Sequence, residues 1–194
     1  MNVLKNLVTH LDPLQYQVTI ATISPEPADS SIEDLRSLGV PVKQMMLSRA
    51  ASLLSGARTL RGLVSEVKPD LIHSHGLRAD VLAARAKLEC PIISTLHCDL
   101  FEDYGFAYGH RVGALLAKRH FEALKRFDAV IAVSGSVADT ASHWGVAARV
   151  IPNGVDLRVY YPPLDLNHVQ TLRANLGWPS EAVILLHTGS LSSR

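Results

Sequence analysis

Short β-branched runs alternate with amphipathic helical stretches from residue 16 to residue 151, and this alternation constrains the fold more than any other feature of the chain. The first run, 16–23, sets Val18 and Ile20 against Thr19 and Ala21 and ends at Ser24-Pro25. Further strands are expected at 42–47, 70–75, 91–97, 128–133 and 148–151. A helix opens the chain, with Val3, Leu4, Leu7, Val8 and Leu11 at helical spacing, and stops at Asp12-Pro13. Ser30 or Ser31 caps a second helix that Gly39 ends, and a third, reaching about Lys68, has Leu53, Leu54, Leu60, Leu63 and Val64 for its buried side. Helices at 77–88, 111–127 and 136–144 complete the series. Repeated strand and helix units imply parallel strands joined by right-handed crossovers and covered on both faces. The expected class is α/β with a doubly wound parallel sheet.

The texture changes after Asn153, where Tyr160-Tyr161-Pro162-Pro163 reads as a proline-stiffened linker. The boundaries expected are therefore 1–152, a linker at 153–164, and 165–194. The last part holds one helix, 166–176, stopped by Gly177, and one apolar strand, 182–187. Two elements cannot bury a core of their own.

Composition narrows the function. Hydrophobic residues at 47% and charged residues at 19% describe a chain with an interior rather than a disordered tail. A net charge of +1 gives no long-range field for nucleic acid, so no nucleic-acid partner is expected. Cys90 and Cys98 form neither a disulfide framework nor a CxxC pair, which fits a reducing compartment. With no signal-peptide pattern at Met1 and no run of ~18 apolar residues, a cytoplasmic location is expected. No GxGxxG or P-loop occurs, so a self-sufficient NAD or ATP domain is not expected and no cofactor is assigned.

In open parallel sheets ligands bind beyond the carboxyl ends of strands. Two consecutive strands end in histidine, His73-Ser74-His75 and Thr95-Leu96-His97, which puts His75 and His97 on one cleft. An imidazole there can exchange a hydrogen bond or proton with sugar hydroxyls or phosphates; a histidine that only caps a turn explains His75 equally well. His73 and Cys98 lie close by in sequence, but without a carboxylate or a second spaced pair no metal site is assigned. Residues 98–109 read as an aromatic loop beside the cleft. Arg111, Lys118 and Lys125, with Arg119 and Arg126 one step on, place five cations along one side of the next helix. That stripe is either a solvated face or a surface for an anionic acceptor or lipid headgroups. Ser134-Gly135-Ser136 reads first as a helix cap and second as a phosphate cradle.

The ordered set Pro69-Asp70-Leu71-Ile72-His73-Ser74-His75, Ser94-Thr95-Leu96-His97, Asp128 to Ser134 and Ile151-Pro152-Asn153-Gly154-Val155-Asp156 resembles the amino-terminal half of the group 1, family 4 retaining glycosyltransferases. The resemblance implies a Rossmann-like amino-terminal domain of GT-B type on the acceptor side, and a donor domain that starts near 165. It implies transfer of a sugar from a nucleotide-sugar, with retained configuration and without a metal, to a glycan or lipid-linked acceptor, as in polysaccharide biosynthesis. His97 matches the catalytic histidine at the cleft. His75, Asn153, Gly154, Gly189 and Ser190 match substrate-binding positions, although Ser190 stands where the family commonly has arginine. Residues 1–194 alone are not expected to catalyse transfer. A binding or assembly module, and a GT-B enzyme such as a nucleotide-sugar epimerase, are the alternatives.

In the resembling fold a central first strand precedes the helix at Met1, and without it two neighbouring strands lack backbone partners. The apolar run Val183-Ile184-Leu185-Leu186-His187 is expected to fill that place, within one chain or in a strand-swapped homodimer.

Overall fold

The computed structural model describes residues 2–26, 32–158, 160–162 and 165–186. The chain divides into two compact units, Met1–Gly154 and Val155–Arg194.

The first unit alternates strand and helix: α1 (Asn2–His10), β1 (Ile20–Thr22), α2 (Ile32–Ser37), β2 (Val42–Gln44), α3 (Arg49–Val67), β3 (Ile72–His75), α4 (Leu77–Ala86), β4 (Ile92–Leu96), α5 (Leu100–Tyr108), α6 (His110–Leu124), β5 (Ala129–Ala132), α7 (Gly135–His143) and β6 (Ala148–Val150). Every strand pair is parallel. The fold is α/β with parallel sheets flanked by helices, as in the Rossmann-like domains of GT-B proteins. Among the described residues the strands form two ladders, β1-β2 and β3-β4-β5-β6. No ladder joins β1 to β3; instead Arg78, in the first turn of α4, ties the two groups at their strand ends. Its guanidinium donates to Ser24 Oγ, to the Leu47 carbonyl and to Ser52 Oγ.

Among the described residues a buried apolar cluster lies under β4 and β5, where Leu96, Val130 and Ala132 meet Ala117, Phe121 and Leu124 of α6 and Val137 and Ala141 of α7. Stacked rings of Phe121 and Trp144 close its edge. Two glycines set helix spacing. A Cβ on Gly56 of α3 would lie 2.6 Å from Leu82 Cδ2 of α4, and one on Gly113 of α6 would lie 2.5 Å from the backbone of Tyr104 and Gly105 in α5.

Several expectations are corrected. The strand expected at 16–23 is only Ile20–Thr22, because 16–18 have no strand neighbour to accept their backbone bonds. Leu53 and Leu54 are not on the buried side of α3: they are exposed, and the packed face carries Ser52 and Gly56, whose small size admits α4. The aromatic loop expected at 98–109 is mostly helix. Asp99 caps α5 by accepting from the amides of Phe101 and Glu102, which satisfies the donors a helix start leaves open.

In the second unit, α8 (Leu166–Asn175) is capped by Asp165. The run expected to fill the sheet is not a strand over its described part, 183–186, and belongs to neither ladder. Val183, Leu185 and Leu186 are exposed. Apolar content alone does not make a strand; a ladder partner is also required. His187 lies outside the described residues, as do Ser30 and Ser31.

Candidate functional site

The β3–β4 register pairs Ser74 with Ser94 and His75 with Thr95, so both strands run out at one level. His75 is the last residue of β3, and Gly76 follows at φ 85, a left-handed conformation that turns the chain directly into α4. His97 is the first residue past β4. The two rings therefore meet at the carboxyl edge of the sheet: Nδ1 of His75 lies 3.0 Å from Nε2 of His97, and the rings stack with centroids 5.3 Å apart. His73 joins them, its centroid 4.3 Å from that of His75 and its Nε2 2.8 Å from Thr95 Oγ1.

The rings differ in exposure. His97 is open to solvent, whereas His75 and His73 are partly buried. Nε2 of His75 is buried without a hydrogen-bond partner among the described residues. A buried bare acceptor is better tolerated than a buried unpaired N–H. The favourable arrangement thus has Nδ1–H of His75 donating to Nε2 of His97, and the proton of His97 on its own Nδ1.

Burial lowers the proton affinity of all three rings. It pushes His75 down to about 4, helped by the neighbouring His73 and His97 and opposed by the Asp80 carboxylate. Burial likewise lowers His73 and His97, and Asp80 again acts in the opposite direction on each. Near neutral pH the cluster is uncharged and offers hydrogen bonds rather than a positive patch.

Beneath the rim lies a polar network that sequence reasoning missed. Asp80 of α4 is fully buried. Its Oδ1 accepts from Ser74 Oγ at 2.5 Å, and its Oδ2 accepts from Ser94 Oγ at 2.9 Å and meets Nε2 of His120 at 2.5 Å. Nδ1 of His120 lies 2.8 Å from the Tyr104 hydroxyl. Burial pushes the Tyr104 phenol well up, so it remains a donor. The legible signal was an aspartate at the head of the apolar run Val81 to Ala84, with two serines at matching places in the adjacent strands.

Beside the rim, Asp99 also accepts from Thr140 Oγ1 at 2.7 Å. Burial works against its charge, but the bonds from Thr140, Glu102 and Phe101 outweigh it and hold the carboxyl below its ordinary value. Burial and the nearby Asp103 push the Cys98 thiol up to about 11, which leaves it unreactive at neutral pH. Ser134 is a helix cap, accepting from the Val137 amide at 3.3 Å. Among the described residues no group of three or more His, Cys, Asp or Glu is arranged to hold a metal ion.

Of the residues expected at the site, His75 and His97 are brought together. Asn153 and Gly154 lie past the end of β6, on the same carboxyl edge but two strands from β4, in an exposed segment where the Gly154 carbonyl accepts from Asn6 Nδ2 at 3.5 Å. Gly189 and Ser190 lie outside the described residues. Of the five cations expected along one helix, only Arg111, Lys118 and Arg119 lie on α6, which ends at Leu124; Lys125 and Arg126 follow in a turn. All five are exposed, but two are engaged: Lys125 pairs with Glu122 at 2.6 Å, and Lys118 sits 5.6 Å from the centre of the Trp144 ring.

No curated protein matches the chain. A family model described as Glycosyltransferase Family 4 matches residues 2–159.

Proposed function

The chain belongs to glycosyltransferase family 4, and on that premise we propose that its first unit forms the acceptor side of a retaining transferase that moves a sugar from a nucleotide-sugar to a glycan or lipid-linked acceptor. The observation that carries this reading is the His75–His97 pair at the carboxyl edge of the sheet, with one ring exposed and the other behind it.

In this reading His97 touches the substrate. Its Nδ1–H is the free donor and suits a hydroxyl oxygen of the acceptor or of the sugar in transfer. His75 holds Nε2 of His97 and so fixes the direction of that donor, a gain in orientation rather than in charge. Asn153 and Gly154 line the same edge further along. Gly189 and Ser190 belong to the donor side. In the transfer, the bond between the anomeric carbon and the diphosphate oxygen breaks and an acceptor oxygen takes that carbon. The acceptor proton leaves with the diphosphate.

Arg111 and Arg119 on α6, and Arg126 in the turn after it, have no ion-pair partner among the described residues, and Val112 and Leu115 of the same helix are half-exposed. That combination suits the headgroups of an anionic lipid surface beside a lipid-linked acceptor on the cytoplasmic side. No described helix is long and apolar enough to cross a membrane.

The test is transfer of label from a panel of uridine- and guanosine-diphosphate hexoses to oligosaccharide and lipid-linked acceptors by a protein that carries these residues together with a family 4 donor domain, with the wild type and His97→Ala compared in the same assay. Acceptor-dependent product that His97→Ala loses supports the reading. Product formed without any acceptor points to an epimerase, and acceptor binding without turnover by a chain that also binds donor points to a binding module.

A further inference from the structure

Asp80 is the one carboxylate that acts on every ring of the rim while lying wholly inside the protein. It sits on α4 at 0% exposure and gathers three donors from three other elements: Ser74 of β3, Ser94 of β4 and His120 of α6. Through His120 the network reaches Tyr104 of α5. The two serines are register partners, and each precedes a rim histidine within its own strand or just past it. One side chain thus sets the heights of β3 and β4 against the α5–α6 hairpin that borders the rim.

The bond pattern also bears on charge. His120 closes the network with both ring nitrogens, since Nε2–H donates to Asp80 and Nδ1 meets the Tyr104 hydroxyl. Among the described residues His120 is the only basic side chain within ion-pair distance of Asp80. Arg78, on the same helix, is turned away to Ser24, Leu47 and Ser52. The carboxylate charge acts on each rim ring against the burial that lowers it, and the low polarizability of the interior lets a charge act at longer range than in water.

We propose that Asp80 is a positioning residue for the rim, which fixes the ends of β3 and β4 through its hydrogen bonds and supplies a standing negative potential behind His73, His75 and His97. The potential favours any positive charge that forms in front of it, whether on an imidazole or on a sugar ring that loses its leaving group. The inference deepens the proposed function and rests on its placement of the site, but the test reads the rings themselves and needs neither donor nor acceptor. The titratable groups that act on these rings are the three imidazoles, from β3 and the end of β4, Asp80, from α4, and, on His97, the positive amino terminus, which lowers it and is the same in every variant tested.

The experiment is the pH titration of histidine ring signals by NMR in the full chain, for wild type, Asp80→Asn, Ser94→Ala and His120→Gln. Removing the charge in Asp80→Asn should lower the midpoints of all three rim rings. Ser94→Ala, which deletes one hydrogen bond and keeps the charge, should leave them in place. Equal movement in both variants, or none in Asp80→Asn, overturns the proposal. Should Asp80→Asn fail to fold, His120→Gln decides: unmoved midpoints support an uncancelled carboxylate, and a rise in all three shows that His120 had been cancelling the charge, which refutes it.

Discussion

Nδ1 of His75 lies 3.0 Å from Nε2 of His97 because two parallel strands in register, β3 and β4, end at the same level with a histidine at each end. The pair is costly to protonate. Burial and its two neighbouring rings bring His75 from its usual 6.5 to about 4.

That shift fixes the sign of a pH dependence. Between about 4 and 6.5 the unfolded chain binds a proton at His75 that the folded chain does not, so stability rises with pH across this window and falls as acid is added. Above about 6.5 the contribution is complete, and below about 4 it is lost. His73 and His97 act in the same direction. Urea midpoints measured across the window should show the slope, and His75→Gln should reduce it without abolishing it. An unchanged slope in that variant would separate the acid sensitivity from the rim.

The α5–α6 hairpin depends on a glycine. A Cβ on Gly113 would lie 2.5 Å from backbone atoms of Tyr104 and Gly105, which cannot swing aside as a side-chain tip can. Gly113→Ala should therefore cost about 1–3 kcal/mol by overpacking. Gly62, in α3, has nothing within 4 Å of its Cβ position, and Gly62→Ala should stabilise by about 0.4–1 kcal/mol through the unfolded chain. Urea unfolding of both variants checks the contrast. Similar effects at the two positions would mean that helix propensity, not contact, governs Gly113.

The exposed arginines of α6 and of the turn after it make a third prediction. Wild-type chain should sediment with phosphatidylglycerol vesicles and not with phosphatidylcholine vesicles, and salt should release it. At about 1 kcal/mol per basic side chain near such a surface, replacing Arg111, Arg119 and Arg126 together by Glu should weaken binding about a hundredfold or more. A wild type that ignores anionic vesicles would leave α6 an ordinary solvated face.

The order of strands and helices could be read from β-branched runs and helical spacing, and the pair of strand-end histidines followed from that order. What escaped was decided by packing. Leu53 and Leu54 look like a buried stripe, yet Ser52 and Gly56 form the contact because α4 approaches too closely for larger side chains. The aromatic and glycine content of 98–109 suggested a loop, while Asp99 followed by Glu102 three residues on was a helix-start signal of capping-box type. Asp80 was passed over because its role depends on Ser74, Ser94 and His120 converging on it from three other elements, and only the two serines at matching places in adjacent strands hinted at that. The apolar run at 183–186 had the composition of a strand but no partner in either ladder. Composition reports what a segment can bury, and only the assembled fold decides what it meets.

The most direct test of the rim as a sugar-binding site is the histidine ring spectrum of the chain, recorded with increasing oligosaccharide acceptor. His97 should carry its proton on Nδ1, and the signals of His97 and His75 should shift together and saturate. In His97→Ala the affinity should drop about fivefold to tenfold, the effect of one lost hydrogen bond of roughly 1 kcal/mol or slightly more. Saturable acceptor binding that leaves both rings unmoved would contradict the account.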